Sequence, residues 1–421
     1  MKFLRVRLAF SFAALFSAAP VWSQVVIPGQ DVANRAHPEY DALGVKLGGF
    51  TLHPSVNSEI HATDNYRASD NNRAGDIYVA LRPEVSLTSN WSRHRLQARA
   101  FLDEQVHLLL GSENSTSYGA SVNGVYDISH DTQARLDFSA GRYVESRSSL
   151  GSFRGSLDPV QYDAFHAGIG LSHNFNRLTL NGSSNLDYNN YNAAKLPGGL
   201  TISQDFRDVR NLTVSGNAQY ALAGGTGLIV SAQHDESRYS FRPGSAGFLP
   251  GFDLERDSAG ESVQAGVTLE LSDLIIGTVQ AGYLTRRYND LRLRNVSGLT
   301  YSANILWNPS PLTSVRAVVR RSVQATASTT YAGNLRTDVD VTVHHELYRW
   351  VLLTGELSYG HFSANGVGPS GNEYDGSIAA RYLLSRRVTL GATVRHSQRD
   401  AASSFLRYSA NDASVSIRYG I

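Results

Sequence analysis

Two sets of residues in this 421-residue chain could do chemistry. The first is His344-His345-Glu346, the one tight group of potential metal ligands. The residues around it alternate in polarity as a strand does, and neighbouring side chains on a strand point to opposite faces, so the two imidazoles cannot share one ion. Serine is plentiful, but no local motif selects a nucleophile with a His or Asp partner. The glycine-rich piece Ala223 to Gly227 has no helix after it and reads as a turn, not a phosphate cradle. No catalytic, cofactor-binding or metal-binding residue is therefore assigned.

The second set is charge built into alternating segments. If one face of each segment is apolar, the other displays Arg82, Glu84, Arg99, Asp103, Arg135, Asp137, Asp187, Asp235, Glu270, Arg316, Arg320, Arg336, Asp338, Asp340, Arg381, Arg395 and Arg418. Both signs are present, and after the first few residues Lys46 and Lys195 are the only lysines. Arginine's planar fork pairs as well with a carboxylate across a wall as with an acidic sugar or phosphate, so its dominance leaves wall stabilisation and substrate contact both open. Arg316, Arg320 and Arg336 fall on two consecutive segments and could form a positive stripe near the loop side, with Asp338 and Asp340 close enough to neutralise it.

The elements that must position these charges are strands. In Leu299 to Trp307 the apolar residues alternate with Thr300, Ser302 and Asn304; Asn308-Pro309-Ser310-Pro311 then stops the pattern, and Thr313 to Ala325 resumes it. About eighteen such segments follow one another, from 49–63 and 76–89 to 387–399 and 408–421. Their connections alternate in kind. Short turns such as Asn90 to Ser92, Phe175-Asn176 and Ser385-Arg386 take turns with longer polar loops such as Asp64 to Gly75, Ser146 to Val160, Asn192 to Arg207 and Phe241 to Asp257. That asymmetry fits an antiparallel up-and-down β-barrel of a Gram-negative outer membrane, with short turns on the periplasmic side. A dry core would bury the charged face at several kcal/mol per ion, so a charged interior must be wet. The last segment alternates to Ile421 and, since no open edge survives in hydrocarbon, should pair with the first. Trp91, Tyr126, Tyr162, Tyr188, Trp307 and Trp350, at strand ends, fit interfacial girdles.

Met1 to Ser23 reads as a signal peptide: Lys2, Arg5 and Arg7 precede an apolar run, and Val21-Trp22-Ser23 offers a cleavage site. Residues 24–47 then form a periplasmic tether and 48–421 the barrel. Without Lys2, Arg5 and Arg7 the 38 basic residues become 35 against 37 acidic ones, formally −2, which argues against nucleic acid as a partner. There is no cysteine, so neither disulfides nor a lipid-modified cysteine are available. Beyond the signal, no apolar run approaches the ~20 residues that a spanning helix needs.

The segment Arg35 to Phe50 (RAHPEYDALGVKLGGF), with Pro54, Trp91-Ser92-Arg93-His94 and Trp307 to Thr313 (WNPSPLT), resembles the putative beta-barrel porin 2 family of Gram-negative outer membranes. The likeness runs over essentially the whole chain past the signal. It implies an outer-membrane pore without cofactor or catalysis, working beside a periplasmic polysaccharide-export protein on a secreted polysaccharide. A general diffusion or uptake porin, and a barrel enzyme acting on lipid or glycan, remain the alternatives. A long loop folded into the lumen would favour a small-solute porin; a wide arginine-lined lumen would favour polymer export.

Overall fold

The computed structural model describes residues 30–240, 254–271, 274–325, 333–364 and 368–421. The signal peptide, the start of the tether, most of the loop Phe241 to Asp257, the turn at Ser272-Asp273 and part of the loop after Ala364 lie outside the described residues. Eighteen long strands form the wall: β1 Phe50–Thr63, β2 Asp76–Ser89, β3 Arg95–His107, β4 Ser115–Asp127, β5 Thr132–Val144, β6 Gln161–Phe175, β7 Leu178–Tyr191, β8 Val209–Ala221 and β9 Thr226–Tyr239. They continue as β10 Ser258–Leu271, β11 Ile275–Tyr288, β12 Val296–Ser310, β13 Thr313–Ala325, β14 Gly333–Tyr348, β15 Val351–Ser363, β16 Ser370–Leu383, β17 Val388–Ala401 and β18 Tyr408–Gly420. Each pairs antiparallel with its sequence neighbours. β18 returns to β1, with Ser55 opposite Gly420 and Thr63 opposite Asp412, so the sheet is closed and has no free edge.

The alternation sorts the side chains into two environments. Large aliphatics stand exposed on the outside all the way round, among them Ile60, Leu136, Ile169, Val263, Leu357, Ile378, Val394 and Val415, each more than half exposed. A belt of that extent marks a surface that meets lipid. Trp91, Tyr126, Tyr188, Trp307 and Trp350 are exposed near strand ends, as a girdle requires. Tyr162 is not part of it. It faces inward in a ring ladder, 5.8 Å from Tyr143 and 5.2 Å from Tyr191, because on β6 the odd-numbered residues face lipid.

Two local features differ from the sequence reading. β12 does not stop at Trp307 but runs to Ser310, with its register slipping between Trp307 and Ser310. A bulge is where a strand tolerates proline, since no ladder bond is lost there, and the turn is displaced to Pro311-Leu312. Residues 30–47 are also not simply extended. They carry a short 3-10 turn at Val32–Asn34 and a three-residue strand, Val45–Leu47, folded back onto Phe50–Leu52. On β10 and β11 the facing backbones come too close at Gly266 and Gly282 for a side chain, since an added Cβ would run into the Val279 and Val263 carbonyls.

Candidate functional site

The inward faces line a lumen whose two halves differ. On β7 to β12 its middle is almost entirely amide and hydroxyl, and these groups satisfy one another: Asn181 donates to Asn217 at 3.0 Å, Ser183 and Ser215 are 2.8 Å apart, Ser231 donates to Gln280 at 2.7 Å and Ser302 to Gln264 at 2.9 Å. A recess of about 700 Å³ opens against this wall, lined by Gln233, Gln264, Gln280, Ser302 and Asn304, with Arg320 at one side and the Arg286–Asp235 pair beside it. Opposite, from β14 round to β7, the lining is ionic. Arg82 pairs with Asp103 at 2.7 Å, Arg99 with Glu84 at 2.5 Å, Arg395 with Asp375 at 2.8 Å and His166 with Asp187 at 2.7 Å. Arg336 bridges Asp338 at 2.6 Å and Glu373 at 2.5 Å, and Glu373 also takes Arg399 at 2.6 Å. In these pairs and bridges each arginine or histidine stands against a carboxylate, which is how a wet wall keeps so many charges close together, although Arg381 and Arg418 are neighbours without one.

The outer mouth, where the long loops gather, is crossed by the loop between β5 and β6. Arg147 holds its own root, gripping Glu113 of the β3–β4 loop at 2.9 Å; Glu113 is fully buried and also takes Arg67 at 3.2 Å. Further along, Arg154 donates to the Ala68 carbonyl at 2.9 Å and the Phe405 carbonyl at 3.0 Å, and the Ser148 carbonyl accepts from Arg399, a 3% exposed residue inside the end of β17. Ala68 and Phe405 belong to the loops after β1 and β17, which lie across β2 to β4 from the root of this loop. The loop therefore lies over the opening as a chord, not around its rim. Burial and the neighbouring Arg399 push the Arg154 guanidinium down to about 10, which leaves it charged at neutral pH. Lys195 meets Asp158 at 2.7 Å on the other flank, and Arg207 pairs with Glu145 while its guanidinium sits 4.0 Å from the Tyr191 ring.

The inner mouth is entered by residues 30–41. The Val32 N–H donates to the Ser314 hydroxyl at 2.9 Å, Ser314 donates to Asn308 at 2.6 Å, and Val32, Ser314 and Asn308 are 1%, 0% and 2% exposed. Asp31, capping the 3-10 turn through the Ala33 N–H, lies 3.6 Å from Arg316 and 3.8 Å from His344. His37 lies 3.7 Å from Glu346, and the Pro38 carbonyl accepts from Arg386 at 3.2 Å. The Asn-Pro-Ser-Pro bulge is thus the floor on which this segment docks, with Arg35 donating to the Pro311 carbonyl.

A family model described as Putative beta-barrel porin 2 matches residues 37–420. The chain belongs to that family. Among solved structures the porin is similar to OccAB3 of Acinetobacter baumannii (10% identity, 89% of this chain and 100% of that chain, TM-score 0.46). It is also similar to OccK2 (OpdF) of Pseudomonas aeruginosa (10%, 89% and 98%, 0.47) and to a BenF-like porin from Pseudomonas fluorescens Pf-5 (11%, 89% and 100%, 0.46). Likenesses of that degree do not reach selectivity. No curated protein matches the sequence. The porin is an outer-membrane β-barrel channel and not an enzyme.

The charged residues picked out by alternation all fall on the face turned away from the exposed aliphatics. They do not gather at one point: Arg82, Glu84, Arg99 and Asp103 form cross-strand pairs, whereas Arg135, Asp137, Arg381 and Arg418 have no ion pair among the described residues, Arg418 reaching only Ser55 at 3.2 Å. Asp340 accepts from Ser358 at 2.5 Å. The positive stripe does not exist as expected. Arg316 lies near the inner mouth facing Asp31, Arg336 is held by two carboxylates near the outer end, and only Arg320 of the three is without a carboxylate partner among the described residues. His344 and Glu346 face the inserted segment while His345 turns outward to Thr313 at 3.0 Å, so the imidazoles do stand on opposite faces. Sequence reasoning missed Asp31, Arg154 and Arg399. Apart from the cross-strand Glu373 of Arg399, their partners are backbone carbonyls or residues hundreds of positions away, and no local pattern marks such contacts.

Proposed function

We propose that the porin is a narrow diffusion channel for small hydrophilic solutes, chiefly uncharged and rich in hydroxyl groups. The observation that carries this reading is the β5–β6 loop, tied over the outer mouth to the loops after β1 and β17 through Arg154 and to the end of β17 through Arg399. Among the described residues, neither it nor residues 30–41 in the inner mouth lines the recess along β7 to β12. That wall offers donors and acceptors in equal supply and little net charge, so a polyhydroxylated solute can exchange its water hydrogen bonds for protein ones with little desolvation loss. Export of a secreted polysaccharide, with a periplasmic export protein as partner, requires a bore through which a chain can run; a tied loop and an inserted segment both count against it.

The test is conductance in planar bilayers together with liposome swelling. The porin should give small single channels and admit pentoses and hexoses faster than trisaccharides, and replacing residues 148–157 by a short Gly/Ser linker should raise conductance and relax the size limit. Large channels that are the same with and without the loop would overturn the reading, as would loss of a secreted polymer on deleting the gene without any change in small-solute uptake.

A further inference from the structure

The outward face of the barrel carries arginine in a one-sided pattern. Among the described residues five arginines point outward from a strand: Arg142, Arg210, Arg238, Arg287 and Arg321. All five lie in the half of the strand nearer the long loops, and all on β5 to β13. On β14 to β18 and β1 to β4 the corresponding outward positions are held by residues such as Ala62, Ile77, Val106, Asn372 and Asn411. At the inner end arginines occur in the turns, at Arg93, Arg177 and Arg386, but none stands on the lipid-facing wall. Snorkelling alone would place such side chains at both ends and all round the barrel.

Three of the five fall on β8, β9 and β11. Arg210 on β8 and Arg238 on β9 are direct cross-strand partners, and Arg287, the outermost outward residue of β11, stands opposite Ala259, in the row of Glu236. Like charges placed directly opposite each other are unfavourable unless an anion lies between them. Glu236 lies one outward position below Arg238, and Glu261 one below the row of Arg287: each guanidinium donates to its carboxylate, Arg238 to Glu236 at 3.0 Å and Arg287 to Glu261 at 2.8 Å, and both arginine side chains remain more than half exposed. Arg210 makes no direct ion pair among the described residues, although Glu236 is close enough to feel its charge. Below this layer come exposed Leu212, Val214, Val230, Val263 and Tyr283, a surface for acyl chains. Downward from the loops, arginines and their carboxylates give way to hydrocarbon.

We propose that the outer ends of β8 to β11 bind the phosphate-bearing headgroup of an outer-leaflet lipid, with Arg210, Arg238 and Arg287 as the phosphate contacts. Guanidinium donates to phosphate through paired N–H groups, and a phosphate between Arg210 and Arg238 removes their mutual repulsion. The apolar wall directly beneath selects a lipid over a free phosphate ion.

The experiment is native mass spectrometry of the detergent-purified, folded barrel, titrated with bisphosphorylated lipid A and separately with the same lipid after phosphate removal. The wild type should retain the phosphorylated lipid and not the dephosphorylated one, and Arg210→Gln/Arg238→Gln/Arg287→Gln should lose roughly tenfold in apparent affinity. Equal retention by wild type and variant, or of both lipids by the wild type, would overturn the site. If the triple variant fails to fold, Arg210→Gln alone, which breaks no ion pair, is read in its place and should weaken retention in the same direction; unchanged retention there rejects the proposal. Competition by inorganic phosphate alone, at concentrations equal to the lipid, should have no effect, and displacement by it would reject a lipid as the occupant.

Discussion

Arg154 illustrates how a single side chain moors a loop. Two of its donors are spent on carbonyls of different loops, and hydrogen bonds from a charged donor contribute roughly 1.5–3 kcal/mol each where water is excluded. Arg154→Ala should therefore free the β5–β6 loop without touching the wall: amide exchange in residues 146–160 should rise, conductance should rise with it, and the folded band on an unheated gel should be unchanged. A rise in exchange across β5 and β6 as well would show that the loop and the wall unfold together. Asp208 gives the outer mouth a pH dependence. It is 5% exposed, accepts from the Tyr191 N–H at 2.7 Å, and burial pushes its carboxyl up to about 6. A carboxyl raised in the folded state binds protons that the unfolded state has already released, so its contribution is greatest at acid pH and is lost as pH rises from the ordinary carboxylate range through about 6. Protection of residues 190–208 should accordingly decline between about pH 4 and pH 7, and Asp208→Asn should flatten that decline.

For the strands, the checks concern faces. Leu136 and Val415 are 57% and 58% exposed on the lipid side, and arginine at either should cost ~2–4 kcal/mol near the midplane, whereas Ser139→Arg, facing the lumen, should be mild. Equal losses in a refolding titration would mean that the faces are misassigned. The strands were legible because alternation is written in every one of them, and their ends moved by only a few residues, as at β12. What alternation cannot carry is irregular backbone. The bulge at Pro309 looked like a stop because proline lacks an N–H, and only the slipped register shows how the strand absorbs it. Tyr162 was misplaced for a related reason: being at a strand end says nothing about which face a ring takes.

Taken whole, the barrel was readable in its closure and its alternating short and long connections, while its two obstructions were not. Each depends on contacts between residues far apart in sequence, such as Val32 with Ser314 and Arg154 with Phe405, and loop-to-wall docking leaves no periodic trace. The inner obstruction hangs on Asp31, whose carboxylate faces Arg316 and His344. Asp31→Ala should loosen residues 30–41 and give longer open times in bilayers, with the segment becoming cleavable by protease added from the inner side. Unaltered gating together with unaltered cleavage would mean that the Val32–Ser314 contact holds the segment without it.

The contact between Lys195 and Asp158 puts one of the two lysines beyond Lys2 on the flank of the crossing loop, where its side chain is 66% exposed; the other, Lys46, lies in the exposed Val45–Leu47 strand at the opposite end. A chain so poor in primary amines has an acylation pattern that can be read almost as a compass. A membrane-impermeant amine reagent applied to whole cells should modify Lys195 and spare Lys46, and the order should reverse in inside-out outer-membrane vesicles. Because the modified Lys195 can no longer pair with Asp158, the same acylation should also change channel conductance, so one covalent event would report both which way the barrel is inserted and how firmly its loop is moored.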